Sequence, residues 1–299
     1  MATNTPLARP SPARAWMMAA RPPTLPAAVV PVLVGTAAVA SIAFRPLPFL
    51  AAMVAAVLIQ VGTNFANDYF DFHKGADTAE RLGPVRVTQS GLIPPDTVRT
   101  AMILVFGLAA LVGLYLVFVG GWPILAIGVL SIAAGVLYTG GPYPLAYHGL
   151  GDPFVFVFFG LVAVCGTAFL HTGAVPAVAW YAALPVAMIV TAIIVVNNLR
   201  DIDTDHLARK HTLAVLIGRR ATQVEYTALL ALAYLLLPLG PLLGLASVWV
   251  LLPLLTLPLA VTLVRAVFGA QGRPLNRALA GTGRLHLLFG VLLAVGLLV

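Results

Sequence analysis

Apolar residues run through this chain in blocks of about twenty, separated by short polar connections. The alternation of a half-buried strand is nowhere sustained. The blocks fall near 24–43, 48–71, 98–119, 122–140, 153–172, 176–199, 223–245, 248–268 and 281–299. Each is close to the ~20 residues that a helix needs to cross the hydrocarbon of a bilayer. The pattern predicts an all-α polytopic membrane protein with nine transmembrane helices. A polar segment, 1–23, precedes a single membrane domain, 24–299, built as two four-helix blocks (about 24–140 and 153–268) plus a ninth helix, 281–299. Arg21, an apolar run and Ala38-Val39-Ala40 also fit a signal peptide, but the run is nearer the length of a full span.

Composition agrees with the pattern. Hydrophobic residues make up 61% of the 299 positions and charged ones only 9%, against roughly 25% charged in a soluble domain. Disorder requires low hydrophobicity and is excluded as well. The lone Cys165 leaves no partner for an intrachain disulfide or a thiolate metal site, and its apolar run marks it as a small buried hydrophobe.

The formal charge of +7 reads as topology, with no nucleic-acid partner implied, because the bases are spread over connections. With the N-terminus inside, Arg45 alone of the 17 Lys and Arg falls on the outer side, a strong positive-inside bias. Trp122, Trp180 and Trp249 begin helices that enter from the outer face, as an aromatic belt requires. This predicts a multi-pass protein of the cell inner (plasma) membrane, with its N-terminus and functional loops cytoplasmic.

The acids are more informative. All ten fall on the inner side, most of them in NFANDYFDFHKGAD (64–77) and NNLRDIDTD (197–205). Each segment ends the second helix of a four-helix block, which suggests an internal duplication. At 100° per residue, Asn64, Asn67, Asp68 and Asp71 share an arc of about 100°, as do Asn197, Asn198, Asp201 and Asp205, while Asp203 points away. Charge at the edge of hydrocarbon normally faces a bundle interior or a wet cavity. Hard oxygen donors suit Mg²⁺, held by one or two carboxylates together with substrate phosphate. Lys74, Arg81, Arg86, Arg200, Arg209 and Lys210 surround them as clamps for phosphate oxygens. The implied ligand is an amphiphile with a diphosphate head and a tail in lipid. Two other readings remain open at this point. The acids are solvated helix ends, or they serve an ion-coupled membrane transporter, whose sites usually lie nearer the midplane.

NDYFDFHKGAD with GPVRVTQSG, YTGGPYPLAYHGLGD, NNLRDIDTDHLARKHTLAVLIG and the opening RPPTLPAAVVPVLVGTA together resemble the UbiA superfamily of intramembrane prenyltransferases. The likeness is strongest to its menaquinone branch, which prenylates 1,4-dihydroxy-2-naphthoate. It implies nine helices around a central cavity with cytoplasmic cap loops. It also implies a prenyl diphosphate and an aromatic acceptor as substrates and Mg²⁺ as cofactor. Carried over, Asn67, Asp68, Asp71, Asp77, Asp201 and Asp205 are the metal set, with Asp77 beyond a helix end at the Gly75 turn. Asn64, Gln89 and Asn198 join the basic residues as substrate contacts. Several relatives place a Lys shortly after the position of Tyr138. Here Pro144, Leu145 and Ala146 stand there, with His148 the nearest polar candidate. Asp201 is the expected proton acceptor for the phenol, and Tyr138 the expected ring facing an allylic cation. The same likeness leaves 4-hydroxybenzoate and homogentisate as alternative acceptors. The stretch 73–95 is expected to close as a lid, and 223–299 to form cavity wall.

Overall fold

The structure, a computed structural model, describes residues 10–75 and 82–299. Among these residues there are ten main helices: α1 Pro12–Ala20, α2 Pro26–Ala37, α3 Pro46–His73, α4 Pro95–Gly120, α5 Trp122–Leu137, α6 Gly151–Thr172, α7 Ala177–Leu207, α8 Leu213–Leu235, α9 Val248–Gly269 and α10 Leu275–Leu298. No strand occurs among the described residues, where a lone bridge joins His148 to His211.

Every predicted apolar block falls on a helix, but the blocks are not nine equal spans. Six helices (α3, α4, α6, α7, α9 and α10) are long and apolar enough to cross a membrane. The pair Pro12–Thr24 and α2, bent by 47°, makes a seventh if it is counted as one broken span. The expected first span, 24–43, departs furthest. Prolines stand at the start of α2 and inside it at Pro31, and the helix gives way to turns after Ala37. Its 12 residues rise about 18 Å, too little to span alone. The 16 residues of α5 rise about 24 Å.

Two helices are much longer than the hydrocarbon requires. The 28 residues of α3 and 31 of α7 extend about 42 and 46 Å, against a core ~30 Å thick. Their final turns carry NFANDYFDFH and NNLRDIDTDHL, so the acids ride on continuous helix rather than on loops. As expected, α3 ends ahead of Gly75, which takes a left-handed φ of 65°. Asp77 and Arg81 lie outside the described residues.

Small residues set the packing. Between helices in lipid there is little hydrophobic drive, and close backbone approach supplies the attraction instead. Buried Ala182, Ala183, Val186, Val190, Val195 and Val196 make α7 the central post, flanked by α6, α8 and α10. Gly160 of α6 lies directly against Ala187 of α7, and Gly290 of α10 against Val30 of α2. Gly160→Leu is therefore expected to lower the unfolding temperature in detergent, at a cost of about 1–3 kcal/mol for overpacking. Gly107 of α4 is exposed with nothing within 4 Å of an added Cβ, and Gly107→Leu should leave thermal unfolding unchanged.

Within α6, Phe156–Val162 winds as π-helix. Phe158, Phe159 and Val162 of this segment, with Phe154 just before it, line the inside of the bundle. π turns inside α-helices are frequent at functional sites.

Candidate active site

The ends of α3 and α7 open onto one cavity of about 1330 Å³. Its mouth is polar, lined by Asn64, Asn67 and Asp71 from α3 and by Asn197, Asn198, Asp201 and Asp205 from α7. Arg14, Arg21, Arg86 and Lys210 stand around these groups. Its body is apolar, running between α2, α3, α4, α5 and α6 past Ile59, Leu116, Ile127, Phe158 and Val162 to Leu170. The loop segment Gly83–Arg86 lies over the mouth.

In the first motif, buried Asp71 is held on both oxygens. Tyr147 donates its hydroxyl to Oδ1 at 2.9 Å, and Arg86 Nη2 donates to Oδ2 at 2.8 Å. Asn67 Oδ1 accepts from the Thr139 hydroxyl at 2.9 Å. Asn64 Nδ2 donates to the Ala20 carbonyl at 2.9 Å and to Thr24 Oγ1 at 3.0 Å, tying α3 to the bend after α1. In the second motif, fully buried Arg200 grips both oxygens of Asp201 through Nε and Nη2. It also donates from Nη2 to Asn197 Oδ1 and from Nη1 to Asn276 Oδ1, each at 2.9 Å. Asn276 Nδ2 reaches on to the Leu82 carbonyl at 2.9 Å, pinning the loop to α10. Asn198 Nδ2 donates to buried Asp152 at 3.1 Å.

Every donor facing the mouth from these two stripes is a carboxylate or amide oxygen, the set that a hard cation prefers. Asp201 and Asp205 from α7 and Asp71 from α3 line the same cavity. Among the described residues no group of three or more His, Cys, Asp or Glu side chains stands close enough to hold a metal ion by itself. Oxygen donors of this kind suit magnesium, which keeps part of its shell for water and substrate phosphate.

The model of the UbiA prenyltransferase family matches residues 28–288. The chain belongs to that family. A 1,4-dihydroxy-2-naphthoate octaprenyltransferase of Mycobacterium tuberculosis is 40% identical over 281 residues, covering 93% of this chain and 95% of that one. The fold is also that of solved UbiA homologues. The apo protein from Aeropyrum pernix K1 aligns with TM-score 0.69 at 17% identity, over 91% of this chain and 96% of its own. The homologue from Archaeoglobus fulgidus bound to GPP and Mg²⁺ aligns at 0.64 and 14%, over 95% and 99%.

Against this UbiA framework the expected residues divide cleanly. Asn64, Asn67, Asp71, Arg86, Tyr138, Asn198, Asp201, Asp205 and Lys210 all line the cavity. Asp203 points out, as its phase requires, and pairs with Arg219 at 3.0 Å. Asp68 does not line the cavity. It is buried behind the mouth, with Oδ1 at 3.7 Å from Arg86 Nε and 3.8 Å from Arg21 Nη2, and Thr88 donating to Oδ2 at 3.4 Å. In this arrangement its carboxylate faces Arg86 and Arg21. Arg200, expected on substrate, is spent inside the protein on Asp201, Asn197 and Asn276.

His148 is likewise not among the lining residues: its ring stacks on Tyr143 at 3.6 Å and its Nδ1 meets the Pro144 carbonyl at 2.8 Å. Arg209 is exposed in a left-handed conformation, and neither it nor Gln89 lines the cavity. Lys74 sits just beside the lining, donating to the Thr139 carbonyl at 2.6 Å. The expectation for 223–299 needs correcting: α8 packs on α7, α9 packs on α10 and α8, and of this stretch the start of α10 alone reaches the cavity, through Asn276, Leu279, Ala280 and Gly283. Sequence reasoning missed Tyr147 and Asn276. Both contribute to the site through partners distant in sequence, 76 residues away in each case.

Proposed function

We propose that this chain transfers a polyprenyl group from a prenyl diphosphate to 1,4-dihydroxy-2-naphthoate. CO₂ is lost, and demethylmenaquinol and pyrophosphate are formed. The observation that carries this reading is a single cavity in which oxygen donors of both motifs stand at the mouth of an apolar body. Such a shape takes a charged head and a long hydrocarbon tail together. The name of the mycobacterial relative, at 40% identity over nearly its full length, supports the choice of acceptor. The same geometry speaks against an ion-coupled transporter, since the carboxylates gather at one end of the bundle.

In this reading Asp71, Asp201, Asp205 and the Asn67 carbonyl hold Mg²⁺. When bound, the ion supplies Lewis-acid neutralisation of the diphosphate as the allylic C–O bond breaks. Arg86, Arg21 and Lys210 receive phosphate oxygens on which negative charge grows. The walls from Ile59 to Leu170 exclude water from the allylic cation, and Tyr138, Phe154 and Phe158 present ring faces to it. The short helix α5 and the more polar α8 complete nine crossings. Both motifs then face the cytoplasm across the inner membrane, on the side that holds the excess of basic residues.

The test follows the carboxyl carbon. Attack at the ring carbon bearing the carboxylate leaves a ring cation, and loss of CO₂ restores aromaticity without a base. Acceptor labelled in its carboxyl group is expected to release labelled CO₂ in step with prenyl transfer. Product that keeps the label, or a preference for 4-hydroxybenzoate or homogentisate, would move the chain to another acceptor and leave the diphosphate assignment intact.

A further inference from the structure

The structure assigns to Tyr147 the role of a positioning residue that ties the two acidic motifs into one diphosphate site. Tyr147 belongs to neither motif. It ends the short 3₁₀ turn Leu145–Tyr147 in the connection between α5 and α6. That connection is anchored at both ends: Ala146 N donates to the Tyr138 carbonyl at 2.9 Å, and His211 N donates to the Tyr147 carbonyl at 3.1 Å. The backbone beneath the ring is therefore fixed from α5 on one side and from the end of the second motif on the other.

The side chain makes two kinds of contact. Its hydroxyl donates to Asp71 Oδ1 while Arg86 takes Oδ2. One lone pair on each carboxylate oxygen is thereby occupied, and the plane of the group is set. What remains for a metal is one directed lone pair per oxygen. The ring has a separate task. Lys74 Nζ, from the end of the first motif, and Lys210 Nζ, from just beyond the second, each stand 5.1 Å from its centroid. Two ammonium groups at that distance from one point are no more than about 10 Å apart, although their chain positions differ by 136 residues. Lysine chains are long and flexible, and a ring that both approach holds them at the mouth, where Lys210 lines the cavity and Lys74 lies just beside it. The hydroxyl thus serves the metal ligand and the ring serves the anion.

This inference rests on the diphosphate reading, and the experiment separates the two. Full-length protein in detergent is titrated with Mg²⁺ at fixed inorganic pyrophosphate, then with pyrophosphate at saturating Mg²⁺, and thermal stabilisation is recorded. Tyr147→Phe keeps the ring and loses the hydroxyl. It is expected to raise the Mg²⁺ midpoint about tenfold, the usual cost of removing a partner of a ligand, while the pyrophosphate midpoint stays within about twofold. Tyr147→Leu loses both contacts and should raise the pyrophosphate midpoint about fivefold as well. A Phe variant with the wild-type Mg²⁺ midpoint, or a Leu variant that binds pyrophosphate as the Phe variant does, overturns the assignment. Lys210→Met covers the case of a misfolded Leu variant. It should weaken pyrophosphate binding at an unchanged Mg²⁺ midpoint, and unaltered binding also overturns the assignment. A wild-type protein that Mg²⁺ and pyrophosphate together fail to stabilise removes the diphosphate reading, and this inference falls with it.

Discussion

Adding EDTA to the purified enzyme is expected to stop prenyl transfer completely, and excess Mg²⁺ to restore it. The reason lies in what the mouth offers a diphosphate. Asp71, Asp201 and Asp205 all line it, and carboxylates repel a polyanionic head unless a cation stands between them. The basic groups nearby assist but do not replace that cation, because Arg86 also answers the charge of Asp71 and Arg200 that of Asp201. Measurement is direct: pyrophosphate release and prenylated product are followed before chelation, after it, and after Mg²⁺ is returned. Zn²⁺ is expected to restore less, since the described mouth presents oxygen rather than nitrogen or sulfur donors. Undiminished turnover in chelator would exclude a metal-held diphosphate.

The second large effect concerns single carboxylates. Asp71→Asn and Asp205→Asn should each reduce turnover by about 10²–10³-fold, the range for losing one group that stabilises developing charge. Folding should survive, because an amide of the same shape keeps most of the local contacts. Asp203→Asn is the internal control. That side chain sits on the same two helical turns but is exposed and paired with Arg219, and an exposed ion pair is worth little. Its turnover should stay within about twofold of wild type. Equal damage at Asp203 and Asp205 would mean that the orientation of the α7 end is wrong.

The contrast between Asp203 and Asp205 shows what the sequence makes legible. On a continuous helix, phase is arithmetic, and the outward turn of Asp203 follows from 100° per residue. The break after His73 was likewise visible in Gly75. Asp68 shows where that arithmetic stops. It shares an arc with Asn64, Asn67 and Asp71, yet it is buried behind the mouth because Arg86 and Arg21 approach that edge of the helix. Which edge of a polar stripe faces the cavity is decided by neighbours from elsewhere in the chain. Tyr147 and Asn276 escaped for the same reason, since each meets its partner across the bundle. The bend before α2 and the π turn in α6 are backbone responses to packing, and apolar run length carries no trace of them. Run length also overstated the number of full spans, because it counts residues without asking whether the helix stays straight.

The engagement of Asp71 by Arg86 and of Asp201 by Arg200 has a bearing on how the protein is made. Small domains that are held together by zinc fold only when the metal arrives. Here the anionic ends of α3 and α7 already carry internal cations, so the bundle can insert and pack before any ion or substrate reaches it. Assembly in the membrane and loading of the site are then separate events, and a cell short of magnesium would accumulate intact, idle enzyme ready to resume work when the ion returns.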